Sequence, residues 1–101
     1  MYALLLSLAP LVAGEIFGDV RMGEGYVTDV PIQLTCGAEV VQAKTDSTGS
    51  YRIRTKGSGK CQLQVTYKNQ KPTVDVVVFE QPTRYRLILE DQKGTFILKR
   101  V

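Results

Sequence analysis

From Glu15 onward, apolar side chains recur at every second position in short runs, and turn residues separate the runs. Successive side chains of a strand point to opposite faces, so this alternation predicts half-buried strands. No stretch after Gly14 keeps an apolar 3.6-residue period long enough for a helix. The runs predict strands over Glu15–Met22, Ile32–Cys36, Val40–Thr45, Tyr51–Thr55, Cys61–Tyr67, Thr73–Phe79, Tyr85–Glu90 and Thr95–Lys99. The stretches GEGYVTD, GA, DSTG, KGSGK, KNQKP, EQPT and DQKG between them carry the Gly, Pro, Asn and Asp of loops and tight turns. The triplet Val76, Val77, Val78 predicts burial on both faces. Short strands at this spacing indicate a sandwich or barrel. The expected fold is an all-β, Greek-key-type β-sandwich of seven to eight strands.

One stretch, KTDSTGSYRI from Lys44 to Ile53, is more specific. Asp46 can accept from the backbone two residues on, Gly49 can take a positive φ, and Tyr51 then places an aromatic ring on the core phase of the next strand. The wider pattern runs GDV at Gly18–Val20, DVPIQL at Asp29–Leu34, the Asp46–Gly49–Tyr51 turn, then CQLQVTY at Cys61–Tyr67. It resembles the carboxypeptidase regulatory-like domain of the transthyretin-like (prealbumin-like) β-sandwich group, over roughly Ile16 to Leu89. The resemblance implies that fold and an accessory, mostly non-catalytic role beside peptidases, in surface proteins or at transporters. Its matching residues are turn and core positions, so they bring no activity with them.

The opening MYALLLSLAPLVAG has no charged side chain. Its apolar core from Ala3 to Ala13 is shorter than the roughly 20 residues a spanning helix needs, and it suits a secretory signal peptide. With small residues at Val12 and Gly14, the expected division is a signal peptide over 1–14 and a domain over 15–101. A buried strand or helix at the domain's start is the other reading. Export agrees with two cysteines, Cys36 and Cys61, both on apolar phases of their strands. A disulfide is expected from them, with two free buried thiols as the alternative. Closing that loop stabilises by about 3–4 kcal/mol in the chain-entropy model.

Charge and composition narrow the function. Thirteen Lys and Arg against ten Asp and Glu leave +3, too small an excess to suggest nucleic acid. The chain has no His, the commonest general base and transition-metal ligand, so neither an enzyme nor a metal or other cofactor is expected. KGSGK departs from a phosphate loop at Arg54 and Cys61, and DSTG has one carboxylate where a calcium loop needs several. Arg52, Arg54, Lys56 and Lys60 gather near one end of the sandwich, which suits a site for an anionic envelope polymer or an ordinary solvated face. Tyr26 is the main tyrosine expected outside, because Tyr51, Tyr67 and Tyr85 fall on core phase.

The leading expectation is a secreted or periplasmic structural or protein-interaction module with an envelope protein as partner and no transmembrane segment after cleavage. The alternative is a carbohydrate-binding module of starch-binding-like fold, disfavoured by the absence of Trp. Contact is expected at the loops or at an unpaired strand edge. The C-terminal TFILKRV reads as a docking edge or as one protected by Lys99 and Arg100.

Overall fold

The structure is a computed structural model and describes residues 14–101. The expected signal peptide lies outside the described residues except for Gly14. In chain order the strands are β1 (Gly14–Met22), β2 (Gly25–Tyr26), β3 (Pro31–Cys36), β4 (Glu39–Lys44), β5 (Ser50–Thr55), β6 (Gly59–Val65), β7 (Thr73–Val78), β8 (Thr83–Arg84), β9 (Leu87–Gln92) and β10 (Thr95–Arg100).

β1 is the centre of the larger, six-stranded sheet. Its first half pairs antiparallel with β5 on one side and parallel with β8 on the other. Its second half pairs antiparallel with β2 and parallel with β9, and β10 lines the far side of β9. The smaller sheet runs β4-β3-β6-β7, antiparallel throughout.

The two inner faces meet in one core. Ile16 and Val20 on β1, Ile53 on β5, Leu87 and Leu89 on β9, and Phe96 and Leu98 on β10 come from the larger sheet. Ile32, Leu34, Leu63, Val65, Val76 and Val78 come from the smaller one. Fully burying one such aliphatic side chain is worth about 1.5–3 kcal/mol. The disulfide Cys36–Cys61 bridges neighbouring strands β3 and β6, with Cys61 buried and Cys36 half-buried.

Several expectations need correction. The described residues hold ten strands, not seven to eight, because the two-residue strands β2 and β8 are additional. β2 lies inside the expected GEGYVTD loop. The single strand expected over Tyr85–Glu90 begins earlier, as β8, and breaks at Tyr85 and Arg86 before β9. β6 starts within KGSGK and stops at Val65, so Tyr67 lies beyond it, in a tight turn closed by Tyr67 and Gln70. β7 stops at Val78, which leaves Phe79 52% exposed, and Val77 is half-buried rather than covered on both faces.

The C-terminal strand belongs to the core. Phe96 is buried and meets Tyr67 edge-on, with centroids 5.0 Å apart. The outer edge of β10 is guarded at its start by one side chain. The Gln70 amide accepts from Phe96 N at 2.8 Å and donates to the Gly94 carbonyl at 2.6 Å, as a neighbouring strand would.

Candidate functional site, an arginine-lined sheet face

The turn residues form a scaffold. Asp46 Oδ1 accepts from Thr48 N at 2.8 Å, Thr48 Oγ1 at 2.9 Å and Ser50 N at 2.9 Å. The Ser50 and Thr48 backbone amides, then the Thr48 hydroxyl, hold the Asp46 carboxyl below its ordinary value. Gly49 sits at φ 72°, and its carbonyl accepts from Val20 N at 2.9 Å, seating the turn on β1.

Tyr51 follows on β5, opposite Gly18 of β1. Its hydroxyl donates to the Tyr85 carbonyl at 2.8 Å. Burial, then the nearby Asp19 carboxylate and Tyr85, push the Tyr51 hydroxyl well above the ordinary tyrosine value. The Tyr85 hydroxyl in turn donates to Val77 O at 2.6 Å and accepts from Val77 N at 3.1 Å, tying the larger sheet to β7 of the smaller one.

The basic residues Arg52, Arg54, Lys56 and Lys60 are divided between the two sheets and the connection that joins them. β5 and β6 belong to different sheets. Arg52 and Arg54 point outward from the larger sheet, while Lys60 is exposed on β6 of the smaller one. Lys56 lies in the connection, where its backbone N donates to Glu39 Oε2 at 3.0 Å.

Strand pairing brings different partners to Arg52 and Arg54. Phe17 on β1 pairs with Arg52 on one side and Arg84 on the other. Arg86 Nε lies 3.9 Å from Asp19 Oδ1, and Arg21 is paired with Tyr26 and with Ile88. Five of the chain's six arginines, Arg21, Arg52, Arg54, Arg84 and Arg86, therefore occupy the outer face of one sheet. The outer face of the other sheet is dominated by glutamine, with Gln33, Gln42, Gln62 and Gln64 on its strands.

The arginines differ in what holds them. Glu15 pairs with Arg52 and, at 3.6 Å, with Arg54. The Arg52 guanidinium also lies 5.2 Å from the Phe17 ring centroid, and Arg21 lies 5.2 Å from that of Tyr26. Among the described residues, neither Arg84 nor Arg21 makes an ion pair. A cleft of about 540 Å³ crosses this face, lined by Phe17, Asp19, Asp46, Ser50, Arg52 and Arg84 and reaching Lys44 of β4. Tyr26 is exposed as expected, at 53%, but Arg21 covers one face of its ring.

These groups can attract, orient and pack a ligand. Among the described residues no cluster of His, Cys, Asp and Glu could hold a metal ion, and no helix is long and apolar enough to cross a membrane. Arg84 and Arg86 are missed by alternation alone, because it carries no information on strand order. The signal is present all the same: YRIR, TRYRL and VRM each put Arg on the outward phase of a strand.

No family model matches the chain, and no curated protein matches it. Seven solved chains are similar to it. One is described as a "putative cell adhesion protein" from Bacteroides fragilis NCTC 9343, with 11% identity and a TM-score of 0.49 over 88% of this chain. The match spans 45% of that protein's length.

Proposed function

We propose that this chain is a non-catalytic, secreted or periplasmic module of the cell envelope, of the carboxypeptidase regulatory-like type, which docks a protein partner on the outer face of its larger sheet. The observation that carries the reading is the segregation of Arg21, Arg52, Arg54, Arg84 and Arg86 onto that face, with Phe17, Tyr26 and Ile88 between them. Arginine and aromatic residues are the groups enriched where proteins meet, while lysine is depleted there. The opposite face, with glutamine and Lys60, has the composition of ordinary solvated surface. The disulfide supports an oxidising compartment. The Asp46–Gly49–Tyr51 turn and the two-sheet architecture support the family reading.

The carbohydrate-binding alternative is weaker. Its exposed rings, Tyr26 and Phe79, lie at opposite ends of β1, beside Arg21 and Gly14. At about 3.3 Å per residue they are roughly 20 Å apart and cannot form one platform.

Site-specific photo-crosslinking in the native envelope tests the docking face. A photoreactive residue in place of Phe17 is expected to yield a discrete protein adduct. The same residue at Gln62, on the opposite face, is expected to yield none. Adducts only from Gln62, or from neither position, would reject the reading.

A further inference from the structure

The docking face has a directional chemistry. Five arginines against Glu15 and Asp19 leave an excess of three positive charges there, equal to the formal net charge of the whole chain. The cleft itself is lined by Lys44, Arg52 and Arg84 against Asp19 and Asp46, and Asp46 Oδ1 is taken up by its own turn, bonded to Thr48 and Ser50. Glu15 is shared between Arg52 and Arg54, and Asp19 faces Arg86, which leaves Arg84 and Arg21 free of ion pairs among the described residues; Arg21 is half-buried over Tyr26, whereas Arg84 is exposed. Arg84 and Arg52 stand on either side of Phe17, two strand spacings apart, or roughly 10 Å. Lys44 also lines the cleft and pairs with Asp29 at 3.4 Å.

Two kinds of polyanion match the charge, and the apolar groups choose between them. A sugar ring stacks on a bare aromatic face, but Arg52 lies over Phe17 and Arg21 lies over Tyr26. What remains open is guanidinium edges and the aliphatic side chain of Ile88, which is 36% exposed. Guanidinium edges match carboxylates two bonds at a time, and Ile88 offers a contact suited to an apolar side chain.

We propose that an extended acidic segment of a protein partner lies across the cleft at Arg84 and Arg52 and continues along the same face to Ile88, with carboxylates on the arginines and an apolar side chain on Ile88. This rests on the docking-face reading and specifies its partner.

The test uses fluorescently labelled peptides of alternating Glu and Val, the same peptides with Gln for Glu, and an oligogalacturonate of similar charge. Binding to the mature disulfide-bonded protein is followed by anisotropy. The Glu–Val peptide is expected to bind, and the Gln–Val peptide at least tenfold more weakly. Arg84→Glu is expected to weaken Glu–Val binding by about tenfold or more, while Lys60→Glu on the opposite face leaves it within about twofold. Binding is expected to weaken between about 0.05 M and 0.5 M salt. Arg84 is exposed and unpaired, so its variant should fold, and an unchanged thermal midpoint verifies this. Oligogalacturonate binding as tightly as the Glu–Val peptide would overturn the peptide assignment. So would failure of the Glu–Val peptide to bind, or an Arg84→Glu variant that binds it normally. If the Phe17 crosslink persists in any of these cases, the docking face stands and only the partner's chemistry is rejected.

Discussion

The Tyr51 hydroxyl reaches across β1 to the carbonyl of Tyr85, 2.8 Å away, passing over Gly18. A Cβ on Gly18 would collide with that carbonyl oxygen. The hydrogen bond and the missing side chain are thus one arrangement. It occupies a backbone acceptor of the segment between β8 and β9, at the place where that strand is interrupted.

Tyr51→Phe should remove the donor and leave the Tyr85 carbonyl poorly satisfied, at a cost of about 1–2 kcal/mol. Gly18→Ala should cost more, about 2–3 kcal/mol, because the contact is with backbone. Urea unfolding of both variants gives the comparison. A Gly18→Ala protein as stable as the wild type would mean that β1 and the Tyr85 segment do not approach each other this closely.

The same method checks Gly49. Its φ of 72° opposes a β-branched side chain, and so does the Val20 carbonyl oxygen, which would lie 2.8 Å from a Cβ at this position. Gly49→Val should lose at least about 2 kcal/mol. An unfolding midpoint unchanged from wild type would refute the turn geometry.

Asp46 gives the protein an acid sensitivity. Its folded pKa is depressed below 3.8 by the Ser50 and Thr48 amides and the Thr48 hydroxyl. The contribution is present above the unfolded value and is lost as pH falls through the folded one. Stability should therefore decline below about pH 4, and Asp46→Asn should flatten that part of the profile. Denaturation midpoints between about pH 6 and pH 2 measure it; parallel profiles for the two proteins would exclude Asp46 as a source.

Reduction of Cys36–Cys61, or the double Ser variant, should lower stability by about 3–4 kcal/mol. Thiol titration of the unreduced protein should find no free cysteine. Two reactive thiols in native protein would contradict the bond.

Phe96 and Leu98 are buried on the inner face of β10, so removing residues 95–101 should unfold the domain rather than release a docking edge. Phe96→Ala alone should cost about 3 kcal/mol or more. Circular dichroism of the truncated chain decides this, and a cooperative native-like melt would show that the strand is dispensable.

Most strand positions are legible because each needs only the alternation of its own side chains, as in Ile32–Gln33–Leu34 or Tyr51–Arg52–Ile53. The Asp46 turn is legible because its bonds close within four residues. β2 and β8 are not, since two residues carry no period and exist through pairing with β1. The arginine face is half legible. Arg52 and Arg54 are visible as neighbours, but Lys60 follows a crossing to the other sheet, while Arg84 and Arg86 arrive through pairing with a strand more than 60 residues earlier. Alternation identifies which residues face outward; only strand order identifies which residues they face outward with.

The Gln70 amide, seated on Gly94 and Phe96, has a meaning for how these molecules behave in company. A growing fibril recruits the next chain through free donors and acceptors at a strand's margin. Here the first such pair on β10 is already taken by a primary amide, which mimics one peptide unit and has no successor to pass the pattern on. A second chain that pairs with the start of β10 must first dislodge Gln70 from both bonds. The start of this edge is thereby occupied by a side chain that lies 26 residues before Phe96.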